Sequence, residues 1–530
     1  MGFGKGVVEG ERRTTVTRCE GKIVVDFKKH QGAKKRPYPF SLQRRRQNMR
    51  GKKILALLIL VAFVLPAVLT ACGKATPTAA PATKAPAATQ APAPTEKPAA
   101  TQAPTQPQSP LGVKPEDLQG VTITLWHVWS RGTGDRFQQM VDEFNSTNKW
   151  GITVKAINQG HYGDVFNKMN AAINSGDLPN IVVGYNNQMA AWDQAGGVIV
   201  DMNKYVNDPV YGLSKADQQD FYPVFWKQDV INGKRLGFPV QRSAQMMFYN
   251  ITWAKELGFD KPPQTVEEFK EQSCAAAQAN NSDDNPDNDG TGGYIVTSGA
   301  SAIAGWIWAF GGDITDASGK YTLDTPQVQE ALTYLKDLYD SGCAWSGSTR
   351  YHNSEFATRQ ALFTTSSTAG IPYQQSAMKK SGSKDQWTLI PFPSKVGHPV
   401  VDIYGPSMAI VKATPAQQLA SWLFIKWFTS PQNQAKWVEA SGYFPTRKST
   451  VQYLGDYIKA HPQWEAAREA VEKGYGRFEP ADVSWNSVRQ AISQTVAKIF
   501  QKDFKPDQIP QLLKDLQKQA EEYWSEAHGG

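Results

Sequence analysis

The fold is decided by residues 121–183, which contain the segments VTITL (121–125), GDRFQQMVDEF (134–144), ITVKAI (152–157) and IVV (181–183). VTITL and ITVKAI are short runs rich in β-branched residues, which is typical of strands. Between them, apolar residues recur at the i, i+3, i+4, i+7 spacing of an amphipathic helix: Phe137, Met140, Val141 and Phe144. A second helical stretch, with Val165, Met169 and Ile173, separates ITVKAI from IVV. This βαβαβ order predicts a mostly parallel sheet covered by helices.

Length and composition favour a large folded body outside this segment. The chain has 530 residues, of which 40% are hydrophobic and 11% aromatic, so disorder of the whole chain is excluded. The length predicts several domains or one large two-lobed unit. All 16 Trp and 18 of the 19 Tyr lie between residues 126 and 524, which places the core there.

The net charge of +8 is unevenly distributed along the chain. Residues 1–53 hold 16 Lys/Arg and 4 Asp/Glu, a local excess of +12. The remaining 41 basic and 45 acidic residues give the rest of the chain a net charge of −4. A basic protein would suggest nucleic acid as a partner. Because the predicted folded body is mildly acidic, we expect no nucleic-acid partner.

The basic head has the pattern of an export signal. MRGKK (49–53) precedes eighteen uncharged and mostly apolar residues, 54–71, which end in LTAC (69–72). LTAC looks like a bacterial lipobox, which predicts a signal peptide over 49–71 and acyl chains on Cys72. An ordinary signal peptide with an incidental cysteine is the alternative. A transmembrane helix is disfavoured by Pro66 and by the short run. We then expect residues 1–48 to be a non-native or mis-assigned extension, with translation starting at Met49.

A proline-rich linker follows the predicted anchor. From 73 to 110, 28 of 38 residues are Ala, Pro or Thr, and none is aromatic. Such a segment cannot bury enough apolar surface to offset its ordering entropy. Frequent proline favours extended structure, so the sequence predicts a semi-rigid spacer, with the linker ending at residue 118.

Short motifs then follow one another in a recognisable order: Trp126-His127 at a strand end, GDLP (176–179), GFPV (237–240), FYN (248–250), KELG (255–258), PPQTVEEF (262–269) and SGYFPT (441–446). Their order and spacing resemble the extracellular solute-binding proteins of ATP-driven importers, in the sugar-binding family that includes maltose- and glycerol-3-phosphate-binding proteins. The resemblance covers residues 121–524. It implies an α/β, two-lobed type II periplasmic-binding-protein-like fold with crossing hinge strands. By analogy, lobe 1 takes 119–238 plus 366–412, and lobe 2 takes 239–365 plus 413–525.

The resemblance also implies a ligand in the cleft between the lobes, and residues that bind it. The candidates carried over by position are Tyr162, Asn186 (a glutamate in the relatives), Arg242 and Ser243 at the first hinge, Ser367 at another crossing, Tyr404, Gly405 and Tyr443. Further candidates are His127, which either lines the cleft or packs beneath it, Trp306 and Trp308, of which at most one faces ligand, and Trp485. Most Trp and Tyr side chains of any domain are core residues.

The ligand that these residues favour is a neutral mono- or oligosaccharide. Aromatic rings stack on the C–H faces of a sugar, and its hydroxyls need paired donors and acceptors. The relatives that bind glycerol phosphate use an arginine near 481–485, where this sequence has no secure match, although Arg477 is close. A glycerol phosphodiester stays an alternative, because Arg242 could receive a phosphate.

Cysteine usage and one acidic loop make two further predictions. With Cys72 lipidated, Cys274 and Cys343 are an even pair in an oxidising compartment, which predicts a disulfide; two buried thiols are the alternative. NPDNDG (285–290) matches the start of a calcium loop, with Asn285, Asp287 and Asp289 as ligands, but position 12 is Val296 instead of glutamate. A solvated Asx-turn loop is therefore favoured over structural calcium.

Catalytic motifs are not found in the sequence. It lacks G-x-S-x-G, H-E-x-x-H, a P-loop and a G-x-G-x-x-G after a strand, although a glycosidase needs only two carboxylates that no motif reveals. A secreted glycoside-active enzyme and a surface adhesin are the remote alternatives. We expect a non-enzymatic, monomeric receptor without a cofactor. It would be anchored through Cys72 to the outer face of the cytoplasmic membrane and would deliver a sugar to the permease subunits of an ABC transporter.

Overall fold

A computed structural model describes residues 108–349 and 351–529. Its strands are β1 (Thr122–His127), β2 (Thr153–Asn158), β3 (Ile181–Gly184), β4 (Val230–Ile231), β5 (Lys234–Arg235), β6 (Phe238–Pro239), β7 (Ser243–Asn250), β8 (Gly292–Val296), β9 (Ala344–Ser346), β10 (Ala361–Ser367), β11 (Trp387–Ile390), β12 (Val401–Tyr404), β13 (Ser407–Ile410) and β14 (Gly476–Phe478). Its α-helices are α1 (Arg131–Thr147), α2 (Tyr162–Ser175), α3 (Asn186–Gly196), α4 (Asn203–Val206), α5 (Lys215–Asp220), α6 (Pro223–Gln228), α7 (Ile251–Glu256), α8 (Val266–Ser282), α9 (Ala300–Ala309), α10 (Pro326–Asp340), α11 (Asn353–Ala357), α12 (Ile371–Ser381), α13 (Pro415–Phe428), α14 (Pro431–Ser441), α15 (Gly455–Ala460), α16 (Pro462–Glu472), α17 (Trp485–Ile499) and α18 (Ile509–His528).

Lobe 1 is built on a five-stranded sheet in the order β2-β1-β3-β13-β6. Strand β1 lies parallel to β2 and β3, as the βαβαβ pattern predicts, and β13 is antiparallel to β3 and β6. The apolar stripe of α1 is buried against the aromatic face of α13 and α14, where Phe137 contacts Phe428 and Phe144 contacts Phe424. This aromatic packing forms the core of lobe 1.

Lobe 2 is built on a seven-stranded sheet in the order β14-β12-β7-β10-β8-β9, with β11 also paired to β7. The long strand β7 is antiparallel to β10, β11 and β12, and all its residues except Gln245 are buried. Helices α9, α10, α17 and α18 cover one face of this sheet, and α12 and α16 cover the other. Because helices cover both faces of β7, a strand made of polar residues would be unstable at this position.

The chain crosses between the lobes at residues 240–242, 405–406 and 442–447. At the second crossing, Gly405 has φ of 151°, and a Cβ there would lie 3.0 Å from the Arg242 Cα and 3.1 Å from the Gln241 carbonyl oxygen. Only glycine accommodates this conformation and this contact. The close approach brings the first two crossings side by side and forms the hinge.

The lobe boundaries differ from those expected. Residues 366–404, expected in lobe 1, end β10 and form α12, β11 and β12, which all belong to lobe 2, so no crossing lies at Ser367. Helix α13, expected in lobe 2, packs on lobe 1, and α14 borders both lobes, with Trp437 in the lobe 1 core and Val438 in the lobe 2 core. The physical reason is that β7 offers hydrogen-bonding edges to both β11 and β12, while the aromatic face of α13 packs against α1. Hydrophobic periodicity shows that an element is amphipathic but not which sheet it covers.

Two further features of the fold bear on the sequence predictions. Val113 and Leu118 are buried in the core of lobe 1, and Ser109 Oγ donates to Asp208 Oδ2 at 2.6 Å, so residues 109–118 belong to the lobe and not to the linker. Cys274 and Cys343 are joined by a disulfide, with Cα atoms 4.2 Å apart, linking α8 to the start of β9. The predicted extension, signal peptide, Cys72 and most of the linker lie outside the described residues. Among the helices of 108–349 and 351–529, none combines the length and apolar character needed to span a bilayer.

Candidate ligand-binding cleft

A cavity of about 780 Å³ lies between the two lobes, next to the hinge. Its walls come from the start of α2, the end of β3 and the segment after α14 in lobe 1, and from β7, β10, β12, the start of α9 and α17 in lobe 2. The lining residues are His161, Tyr162, Gly163, Tyr185, Ser243, Gln245, Thr297, Gly299, Ala300, Ser301, Ala302, Tyr351, Thr365, Ser366, Ser367, Tyr404, Gly405, Tyr443, Glu479 and Arg489. The size is that of a small-molecule site.

Three tyrosines form the lobe 1 wall. The rings of Tyr162 and Tyr185 lie 4.7 Å apart, centroid to centroid, and Tyr443 lies beside Tyr162, close enough to affect the pKa of its hydroxyl. Burial, together with the neighbouring Tyr443, raises the pKa of Tyr162 well above its usual value. These phenols therefore stay protonated and can both donate and accept hydrogen bonds.

The lobe 2 wall is rich in hydroxyl and amide groups. Ser243 Oγ lies 2.9 Å from Thr368 Oγ1 and also contacts the Ser367 hydroxyl. Tyr404 donates its hydroxyl proton to Gln245 Oε1 at 2.9 Å, which fixes the position of its ring. The two walls together offer aromatic faces from both lobes and a row of hydrogen-bonding groups along β7 and β10.

Two charged side chains line the cavity, and they neutralise each other. Arg489 on α17 lies 3.4 Å from Glu479, and its guanidinium also donates to Ser301 Oγ at 2.9 Å. Glu479 is nearly buried and accepts hydrogen bonds from Ser301 Oγ at 2.5 Å and Trp485 Nε1 at 2.7 Å. The ligand therefore meets a positioned dipole and hydrogen-bonding groups, without a net charge.

A second carboxyl group lies beneath this pair. Asp402 on β12 is fully buried, on the face of the sheet that carries Tyr404. Burial, and then the proximity of Glu479, raises the pKa of Asp402 well above its usual value. Burial therefore favours the neutral form of Asp402, and Glu479 and Arg489 are the charged pair of the cleft.

Six of the twelve predicted ligand-binding residues line this cavity. They are Tyr162, Ser243, Ser367, Tyr404, Gly405 and Tyr443. Four of them lie at or beside a crossing between the lobes. The order of the motifs predicts positions most accurately at these crossings. Whether each contacts ligand remains a prediction.

His127 and Asn186 do not line the cavity. His127 ends β1 but packs beneath Trp129 and against Phe137, with ring centroids 5.7 and 4.8 Å away. Burial lowers the pKa of His127 from 6.5 to about 4. Asn186, the first residue of α3, turns toward the hinge and donates to the Gln228 carbonyl oxygen at 3.3 Å. Tyr185, one residue earlier, occupies the cavity wall in its place.

Arg242 is part of the hinge and not of the ligand site. It is fully buried and forms a 2.7 Å ion pair with Asp229. Its other hydrogen bonds reach Gln228 Oε1, the carbonyl oxygens of Gln241 and Pro406, and Ser407 Oγ. Because these partners use its donors, Arg242 is unavailable to a phosphate. It joins the first crossing to the second.

The three predicted tryptophans lie outside the cavity lining. Trp306 is fully buried in the lobe 2 core, and its indole N–H contacts the Tyr294 hydroxyl at 3.3 Å. Trp308 borders a separate groove, where the guanidinium of Arg477 lies over its ring, 5.4 Å from the centroid. Trp485 lies behind the wall and orients Glu479. Arg477 pairs with Asp313 at that groove, so it does not supply the missing phosphate-binding arginine.

Sequence reasoning missed Tyr185, Gln245, Glu479 and Arg489. A usable signal existed for Tyr185, because it immediately follows β3, where side chains reach the cleft edge of a parallel sheet. Arg489 lies four residues after Trp485, on the same face of α17. The expected position of an arginine, 481–485, therefore ends one helical turn before the arginine that lines the cavity.

The cavity continues in two directions. One extension, of about 810 Å³, runs between α2 and α17 and shares Tyr162, Tyr185 and Arg489 with the cavity. The other, of about 340 Å³, lies against α12 and shares Tyr351, Ser366 and Ser367. The cleft is therefore elongated.

The predicted calcium loop is an Asx turn. Asn285 Oδ1 accepts from the Asp287 backbone N–H at 3.3 Å, and Asn288 donates to Asp283 at 2.9 Å. Within residues 108–349 and 351–529, no group of three or more His, Cys, Asp or Glu side chains is placed to hold a metal ion. Calcium binding by Asn285, Asp287 and Asp289 stays an untested prediction.

Comparison with known proteins matches this architecture. The structure superposes on the sugar-binding protein MalE of Xanthomonas citri with a TM-score of 0.64 at 19% identity, covering 77% of this chain and 98% of that one. It also superposes on the cyclic α-maltosyl-1,6-maltose binding protein of Arthrobacter globiformis (TM-score 0.62, 22% identity, 77% and 98% coverage). UgpB of Mycobacterium tuberculosis, solved with glycerophosphocholine, gives 0.62 at 20% identity, with 76% and 98% coverage. At these identities the likeness establishes the shared two-lobed fold.

Sequence comparison establishes the family. A probable ABC transporter-binding protein of Deinococcus radiodurans is 24% identical over 345 residues, covering 59% of this chain and 78% of that protein. Residues 139–469, more than half of the chain, match the profile of the bacterial extracellular solute-binding proteins. The predicted resemblance and fold class are confirmed, and the protein belongs to the bacterial extracellular solute-binding protein family.

Proposed function

We propose that this protein is the receptor of an ABC importer, which captures a neutral mono- or oligosaccharide between its lobes and delivers it to the membrane permease. The observation that carries this proposal is the cavity between the lobes, with tyrosine rings on both walls and hydroxyl and amide groups between them. A sugar needs both features, because its ring faces are apolar and its hydroxyls lose free energy if they are buried unpaired.

The charge of the cleft supports a neutral ligand. Arg489 and Glu479 compensate each other, and Arg242 is used by the hinge. A ligand that leaves a buried hydroxyl or amide group of the cleft without a hydrogen bond loses about 1–3 kcal/mol of binding free energy for each such group. The site therefore selects ligands whose hydroxyls match its polar groups.

Lobe closure would couple binding to delivery. A ligand that contacts Tyr162 and Tyr443 on one lobe and Ser243 and Tyr404 on the other binds the closed form better, so it shifts the open–closed equilibrium. Arg242, which donates to the Pro406 carbonyl oxygen of the second crossing and pairs with Asp229 of lobe 1, gives this motion a defined axis. The closed form would then present a surface to the permease. No covalent chemistry is required, and a binder returns its sugar unchanged whereas a glycosidase does not.

A lipid anchor at Cys72 would hold this receptor at the outer face of the cytoplasmic membrane. An extracytoplasmic location agrees with the family. The docking of residues 109–118 on lobe 1 means that the linker would tether the protein through that lobe. A Cys72→Ser variant should leave the membrane fraction, and the mature protein should lack peptides from residues 1–48. Retention of the variant in the membrane fraction would contradict the anchor.

The test of the proposed function is a thermal-shift screen against neutral sugars, followed by isothermal titration calorimetry. We expect Tyr443→Ala and Tyr404→Ala each to weaken binding by about 1–3 kcal/mol without unfolding the protein. Tyr453→Ala, an exposed tyrosine outside the cleft, is the matched control. Unchanged affinity in both cleft variants would refute the site.

A glycerol phosphodiester is the second candidate ligand, because Arg489 could exchange Glu479 for a phosphate. Glycerophosphocholine should be included in the same screen. If it stabilises the protein more than any neutral sugar, and Arg489→Gln abolishes that effect, the second candidate replaces the first.

A further inference from the structure

Tyrosines continue from the inner cavity to the mouth of the cleft. Tyr162, Tyr185, Tyr404 and Tyr443 are partly buried around the inner cavity. Burial raises the pKa of Tyr443, and Tyr373 lies close enough to add a smaller effect in the same direction. The inner cavity is thus continuous with a second, outer group of aromatic rings.

That outer group lines the smaller extension of the cleft, of about 340 Å³. Its walls are Tyr351, Asn353, Ser366, Ser367, Ala369, Gly370 and Tyr373. This lining combines two aromatic rings with hydroxyl and amide groups, as the lining of the inner cavity does. Ser366, Ser367 and Tyr351 border both spaces, so the outer space adjoins the inner cavity.

The two outer rings are unusually exposed. Tyr351 and Tyr373 each leave 66% of their surface open to solvent, more than any other large hydrophobic side chain of residues 108–349 and 351–529. Scattered exposed apolar residues need no explanation, but two aromatic rings at the mouth of one cleft indicate a contact surface.

The segments that carry these rings are fixed to each other. Gln374, fully buried on α12 beside Tyr373, exchanges two 3.0 Å hydrogen bonds with Asn353 at the start of α11, two residues after Tyr351. Ile371 and Met378 anchor α12 in the core. The rings are therefore presented by a rigid support, which lowers the entropy cost of stacking a ligand on them.

We propose that the ligand is an oligosaccharide of at least two sugar rings, with its inner ring between the lobes and its next ring on an outer subsite formed by Tyr351 and Tyr373. This inference rests on the proposed function and narrows its ligand class. A monosaccharide or a short polyol would fill the inner cavity and leave the outer subsite bare.

The test is calorimetry on the full folded chain with two matched series: glucose, maltose and maltotriose, and mannose, mannobiose and mannotriose. In the series that binds, affinity should rise from the first to the second member. Tyr373→Ala should weaken the second and third members about five- to tenfold and leave the first unchanged. Tyr373→Phe, which keeps the ring, and Tyr453→Ala, an exposed tyrosine away from the cleft, should stay within about twofold of the unchanged protein.

Each other outcome overturns the inference in a recognisable way. A monosaccharide that binds as tightly as its trisaccharide, with Tyr373→Ala silent, removes the outer subsite and leaves the proposed function standing. An equal loss across a whole series assigns Tyr373 a structural role. If no member of either series binds and glycerophosphocholine does, the proposed sugar function fails and this inference fails with it.

Discussion

Replacing His127 should change how the stability of lobe 1 depends on pH. The ring is buried between Trp129 and Phe137, and burial lowers its pKa from 6.5 to about 4. The native state keeps His127 neutral, whereas the unfolded chain binds a proton below pH 6.5. The stability contribution is therefore fully present above pH 6.5 and is lost as the pH falls toward 4.

The magnitude follows from the pKa difference. With about 1.4 kcal/mol per pH unit, this single group removes about 2.5 kcal/mol of unfolding free energy between pH 7.5 and pH 4.5. His127→Phe keeps a planar ring but cannot take a proton, so it should lack this loss. His127→Gln, also non-titrating but polar, should show the same change of slope even if its absolute stability differs.

The assay is urea unfolding followed by tryptophan fluorescence at pH 7.5, 6.5, 5.5 and 4.5. The difference in unfolding free energy between the unchanged protein and each variant is plotted against pH, because other groups that titrate cancel in that difference. Curves that run parallel over the whole range would refute the burial argument. They would mean that His127 is solvated, as a residue lining the cleft would be.

Four more outcomes are expected. Asp402→Asn should become increasingly stabilising relative to the unchanged protein as the pH rises above about 4, by up to about 1.4 kcal/mol per pH unit, because burial raises the pKa of Asp402 in the folded protein above its value in the unfolded chain; urea unfolding at about pH 4, 5 and 6 checks it. Arg242→Met should cost about 3–5 kcal/mol, since Asp229 is left buried and unpaired, and restoring stability with Asp229→Asn in the same chain would show that the pair is responsible. Gly405→Ala should lower the melting temperature through the contact with the first crossing, and an unchanged melting curve would contradict the hinge geometry. Calcium or chelator should leave the melting temperature unmoved if the loop at 285–290 is only an Asx turn, and a calcium-dependent rise would instead establish a metal site.

The local elements were determined by the sequence alone. Strand β1 and helix α1 follow directly from alternation and from the Phe137–Phe144 spacing, because burial of one face requires that periodicity whatever lies opposite. Motif order identified the family fold and placed Tyr404, Gly405 and Tyr443 at the cleft. The linker composition predicted an unpacked segment, although its end was set too late.

Only the tertiary structure decided which sheet each element joins and where each polar side chain points. Helix α13 packs on lobe 1 because its aromatic face fits α1, a match of shapes that periodicity does not encode. Arg242 and His127 are residue types that often bind ligands. In the structure, however, Arg242 pairs with Asp229 at the hinge, and His127 packs under Trp129. Glu479 and Arg489 meet Tyr185 in the cleft from distant parts of the chain. Their proximity arises from long-range packing, and the distance between residues so far apart in the chain cannot be predicted from a single sequence.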